Sequence, residues 1–176
     1  MQGGALLIMD KILGFYNKFM ALPPPRESIL FGKILVITIR GIIQSSIILG
    51  LAFLLGVPVY SPVQIIAVYL ILILFGGLLS SVTTTIAVLI GEHDSYAAVT
   101  AMITMPLFFA SSAMMPYSSM PGWLVIPASL NPLSIAIDSI RAVSEGMFPG
   151  ARLFILVIIT VVMISVNVKL FRNVKL

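Results

Sequence analysis

Residues 63–90 run without one charged side chain. That stretch is longer than the ~20 apolar residues that cross a bilayer as a helix. Backbone groups in hydrocarbon find no water, so a span must satisfy them internally, as an α-helix or a closed barrel does. No segment shows the alternating pattern of a barrel strand. Three further apolar runs, 34–55, 96–115 and 152–168, read the same way, with Arg40 near the entry of the first. The whole chain is 60% hydrophobic and 9% charged, against about 25% charged in soluble domains. The fold class is therefore all-α, a polytopic helical membrane protein with about four spans in one transmembrane domain over 1–176.

One segment departs from this pattern. Residues 105–143 are apolar but carry Pro106, Pro116, Pro121, Pro127 and Pro132. Each proline removes a backbone donor and crowds the preceding turn. Such a segment reads as a helix that reaches a membrane face, breaks, and returns as short re-entrant pieces over 116–150. Asp138 and Arg141 are spaced for an i, i+3 pair on the returning helix. At the other end, residues 1–33 are the least apolar. Residues 3–9 are too short to span. An amphipathic, surface-lying segment follows through Phe19 and Leu22, closed by Pro23–Pro25. Arg26 and Glu27 can open the next helix.

Orientation follows from the basic residues. Lys11, Lys18, Arg26, Lys33, Arg40, Lys169, Arg172 and Lys175 fall on one side of a four-span chain, while only Arg141 and Arg152 fall on the other. Both termini and the basic tail 169–176 are thus expected in the cytoplasm, and the re-entrant region outside. Tyr60, Tyr117 and Trp123 fall at that outer face, as an aromatic belt.

Enzymatic chemistry finds little support. Glu92-His93-Asp94 are adjacent rather than spaced i, i+4 for a metal, and His93 is the one histidine. There is no G-x-S-x-G and no phosphate-binding G-x-x-x-x-G-K-[ST]. The chain has no cysteine, which excludes thiolate metal sites. No ionisable residue lies mid-span, so no proton or ion relay is indicated. The run Ser80, Ser81, Thr83, Thr84, Thr85 reads first as helix packing and second as a substrate path. Basic charge is explained by topology, not by nucleic acid.

The order Pro106, Ser111-Ser112, Pro116, Met120-Pro121, Trp123, Asn131-Pro132-Leu133, Asp138 and Arg141 resembles the C-terminal signature of ABC-2 type transporter permeases, of the drug-resistance or polysaccharide-export type. Asp10-Lys11, Gly14, Pro23–Arg26 and Gly32-Lys33 are similar to that family's cytoplasmic segment. The resemblance implies six spans, a dimer of permeases (homo- or heterodimer), and a separate ATP-binding subunit, so that ATP is held by the partner and no cofactor by this chain. It makes Asp10, Lys11, Phe19, Leu22, Arg26 and Glu27 the ATPase-coupling segment. It makes Pro116, Pro121, Trp123, Asn131, Pro132, Asp138 and Arg141 the re-entrant exit-gate region. The family's first helix and most of its second have no counterpart here, so the chain reads as N-terminally shortened. The competing expectation is an accessory membrane protein, an immunity or assembly factor, without transport of its own.

The topology has a direct check. A single cysteine at Ser118 in this cysteine-free chain should react with a membrane-impermeant maleimide in intact cells; reaction only from the cytoplasmic side would invert the orientation.

Overall fold

The computed structural model describes residues 4, 5, 8, 9, 13, 26–56, 61–90 and 92–173. In chain order these form α1 (Arg26–Leu54), α2 (Pro62–Ile90), α3 (His93–Phe109), a 3₁₀ turn (Tyr117–Ser119), α4 (Gly122–Leu130), α5 (Pro132–Ser144) and α6 (Gly150–Asn173). No strand occurs among the described residues. Leu35–Leu54, Pro62–Ile90 and Gly150–Leu170 are long and apolar enough to cross a membrane. The pair α4 and α5 passes the same test only together, and it is bent by 80°. The all-helical membrane fold required by composition is present.

The third apolar run needs a correction. Its helix is α3, which ends at Phe109 and not at the expected Met115. Pro106 lies in its last turn, and Ala110–Ser112 turn away to be held by side chains of the following segments. Residues 110–115 contain no charge to announce this, which is why the apolar run overshoots the helix.

The surface is that of a chain built for a non-aqueous surrounding. None of the Leu35–Leu54 span is buried within the chain. Leu35, Ile43, Ile47, Leu51 and Leu54 are all exposed. An apolar surface of that extent is stable only against lipid or another apolar partner.

The chain divides into two compact units. The first comprises Met1–Ile39, Gly76–Ile103 and Ile159–Leu176. Its apolar centre is Ile8, Ala87 and Tyr96, with Ala5, Ile86, Val88, Ile90 and Val168 packed against them. Gly4 passes so close to the Thr83 carbonyl and the Tyr96 ring that a Cβ there would collide with both. Asn167 on α6 donates from Nδ2 to the Ser81 carbonyl at 2.7 Å, tying α6 to α2.

The second unit comprises Arg40–Phe75 and Thr104–Ile158. Here the helix ends are closed with unusual care. Gly56 takes φ +85°, and its N–H reaches the Phe53 carbonyl to finish α1. Ser61 and Gln64 cap α2 reciprocally: the Ser61 N–H donates to Gln64 Oε1 at 2.7 Å, and the Gln64 N–H donates to Ser61 Oγ at 3.3 Å. This is the capping box, with Pro62 at the first helical position, where its missing N–H costs nothing. At the far end of α5, Gly146 takes φ +77°. The Met147 N–H donates to Ala142 and the Gly146 N–H to Val143, which is the Schellman pattern. Gln64 Nε2 then donates to the Val143 carbonyl at 2.9 Å. One amide therefore serves the start of α2 and the end of α5.

Gln64→Ala should remove both functions. A lost cap is worth ~1 kcal/mol and a lost partly buried hydrogen bond about the same. The detergent-solubilised protein should melt several degrees lower, and Ser61→Ala should give about half that shift.

Candidate functional site

The richest polar site in the second unit lies where α3 ends. The last carbonyls of a helix have no partner within it, and in lipid water cannot serve instead. Here side chains do. Asn131 Nδ2 donates to the Leu107 carbonyl at 2.6 Å and to the Ala110 carbonyl at 2.9 Å. Ser111 Oγ donates to the Phe108 carbonyl at 2.6 Å. The guanidinium of Arg141 donates through Nη2 to the Ser112 carbonyl at 3.0 Å. The Ser112 N–H donates to Ser134 Oγ at 2.9 Å.

Asn131 does double duty. Its backbone is extended (φ −66°, ψ 123°) before Pro132, and its Oδ1 accepts the Leu133 N–H at 2.9 Å, capping α5. Asparagine with proline at the next position is a favoured helix start, since proline presets the first φ. So the same side chain closes α3 and opens α5.

On α5, the residues facing inward include Ser134, Ile135, Asp138, Ser139 and Ala142, the i, i+3, i+4 stripe of a helix packed on one side. Asp138 is the one acid on this face, and it is buried. Its Oδ1 accepts the Ser112 hydroxyl at 2.8 Å, and its Oδ2 accepts the Tyr117 hydroxyl at 2.8 Å. Arg141 Nη1 stands 3.6 Å from Oδ1. The expected Asp138–Arg141 pair thus forms, but it is the weaker part of the arrangement. The arginine side chain is 54% exposed, and exposed ion pairs contribute about 0–1 kcal/mol. The carboxylate is held mainly by two hydroxyls.

The effect on Tyr117 has a clear sign. Burial pushes its phenol above the ordinary value, and the hydrogen bond and negative charge of Asp138 push it further; the Ser134 and Ser112 hydroxyls pull the other way. The neutral phenol is the form the site requires, since only it can donate to the carboxylate.

Other expected residues have plainer roles. Pro116 precedes the 3₁₀ turn and accepts the Ser119 N–H. Pro121 precedes α4 and accepts the Leu124 N–H. Trp123 is 76% exposed and takes no part in the network. Asp10, Lys11, Phe19 and Leu22 lie outside the described residues, and Arg26 and Glu27 are described only as helical backbone opening α1. Ser134 and Gln64 are contributors that no sequence motif marks; Ser112 belongs to the family signature but without a stated partner, and Tyr117 brings its hydroxyl to Asp138 as well as its ring to the outer face. A buried acid on a helix face demands donors, and that demand was the available signal. Among the described residues no group of three or more His, Cys, Asp or Glu could hold a metal.

Residues 1–144 match the family described as ABC-2 type transporter. The chain belongs to that family. This ABC-2 chain is 33% identical over 138 residues to the "Putative transport permease ycf38" of Cyanophora paradoxa, covering 77% of itself and 47% of the relative. It is 30% identical over 143 residues to the protein of the same name in Porphyra purpurea (80% and 49%). It is 26% identical over 144 residues to the daunorubicin resistance ABC transporter permease protein DrrB1 of Streptomyces coeruleorubidus (81% and 51%). The ABC-2 chain thus spans about half the length of the curated relatives it matches. No solved structure matches it.

Because the folded value of Tyr117 lies above the unfolded one, the stability tied to its neutral form is complete below pH ~10. It is lost as pH rises through the folded value. The thermal midpoint in detergent should therefore fall more steeply above pH ~10 in the wild type than in Tyr117→Phe; identical alkaline profiles would show that the phenol does not feel Asp138.

Proposed function

We propose that this chain is a membrane-spanning permease subunit of an ATP-driven exporter. The observation that carries the reading is the ABC-2 match over residues 1–144, shared with relatives whose names include a drug-resistance permease. Absence of a phosphate-binding G-x-x-x-x-G-K-[ST] motif from the sequence fits an arrangement in which a separate ATP-binding cassette subunit hydrolyses ATP. The substrate path forms between this chain and a second permease protomer. A hydrophobic drug, a lipid or a glycan carrier is the class of cargo such a path takes. The protein sits in the cell membrane with both termini cytoplasmic, in keeping with the eight-to-two division of basic residues.

In this reading the Asp10–Glu27 segment docks on the ATPase and receives its stroke. The region from Pro116 to Arg141 closes the outer end of the path. The Asp138 arrangement suits a closure, since it fixes the turn after α3 to α5 through a few hydrogen bonds. The bent α4–α5 pair supports the same reading: it is apolar enough to enter the outer leaflet but bent too sharply to be a plain span.

The test is co-purification with a candidate ATPase subunit encoded beside this chain. A stable complex is expected, with ATP turnover reduced about tenfold or more in Leu22→Asp and Arg26→Glu. No complex, together with unchanged turnover in both variants, would sink the coupling assignment and favour an accessory membrane protein.

A further inference from the structure

The first unit contains polar groups that the transport reading does not use. On α2, Ser80, Ser81, Thr84 and Thr85 have buried hydroxyl oxygens with no hydrogen-bond partner among the described residues. This departs from the chain's own habit. Ser46, Ser139, Ser144 and Ser165 each donate to the carbonyl four residues back. Thr83, within the same run, donates to the Leu79 and Ser80 carbonyls. Its four neighbours do not. Asn167 on α6 reaches the backbone of this run and is 1% exposed. Its Nδ2 is committed to the Ser81 carbonyl, which fixes the amide orientation, since the flipped form would set oxygen against oxygen. Its Oδ1 has no donor among the described residues.

A buried polar group left unsatisfied is destabilising, and here several stand together. The set is several hydroxyls, able both to donate and to accept, and one amide oxygen that only accepts. What satisfies it must donate to Asn167 Oδ1 and also accept from hydroxyls. A bound cation could take these oxygens as ligands but could not accept from the hydroxyls, and the set carries no negative charge to offset it in an apolar interior. Water meets both demands, and buried waters are ordinarily held by two to four polar groups.

We propose that the seam between α2 and α6, around Ser80, Ser81, Thr84 and Asn167, is an internal hydration site. Its waters donate to Asn167 Oδ1 and accept from the α2 hydroxyls. This inference does not depend on the transport reading. It gives the polar run of α2 a partner where the described residues supply none.

Two measurements on the full chain in nanodiscs decide it. Thr84→Val keeps the shape and removes the hydroxyl. If water is bound there, the thermal midpoint falls by about 2–4 °C; if the hydroxyl is dry and unpaired, the substitution raises the midpoint, which overturns the proposal. X-ray radiolysis of the wild type needs no variant to fold. Leu78 is 2% exposed and lies one turn from Ser81, while Ile71 at 1% and Leu156 at 0% serve as dry controls. Oxidation of Leu78 at several times the rate of both controls supports the site. Protection of Leu78 equal to theirs overturns it, whatever the variant does.

Discussion

A carbonyl at the end of a helix in an apolar surrounding must find a donor, and it must find one in protein. Much of the second unit is arranged around that demand. The chain turns at Ala110, where four carbonyls near the end of α3 would otherwise face nothing. Asn131, Ser111 and Arg141 supply the donors. The turn is possible because the sequence that follows brings the right side chains back to it. The prolines of the region set where each short helix begins, and the polar residues beside them determine what holds it there.

Two primary amides carry a large share of this work. An amide side chain offers donors and an acceptor on one rigid plane. Asn131 uses its acceptor to start α5 and its donors to finish α3. Gln64 uses its acceptor within the α2 cap and a donor at the end of α5. A serine in either place could do half of this, and a carboxylate could not donate at all. Asp138 is the complement: an acceptor only, so it collects hydroxyls from Ser112 and Tyr117. The buried polar groups of the second unit therefore match in kind as well as in position.

Much of this was legible in the residues. Long apolar runs marked the long helices, and Asn131-Pro132 marked the start of α5. The Asp138–Arg141 spacing gave a true contact, though not the strongest one that either residue makes. What stayed hidden depends on distance along the chain. Nothing local to Ser112 says that Asp138, on a later helix, will need its hydroxyl. Nothing local to Gln64 points to Val143. The overshoot at α3 has the same origin: its apolar run continues past Phe109, and Asn131 and Arg141, which help close the helix end, lie further along. The Ser61–Gln64 box was readable from its spacing alone.

Gln64 has a mechanical consequence. Its oxygen accepts from the Ser61 N–H while its nitrogen donates to the last turn of α5. Nothing soft lies between those two bonds except one short side chain. Movement of the first turn of α2 along its axis must either carry the end of α5 with it or give up a bond to one of them. The first turn of α2 and the last turn of α5 therefore move together for as long as both bonds hold, and Gly56 and Gly146 are the two described residues whose backbone already sits in the left-handed region.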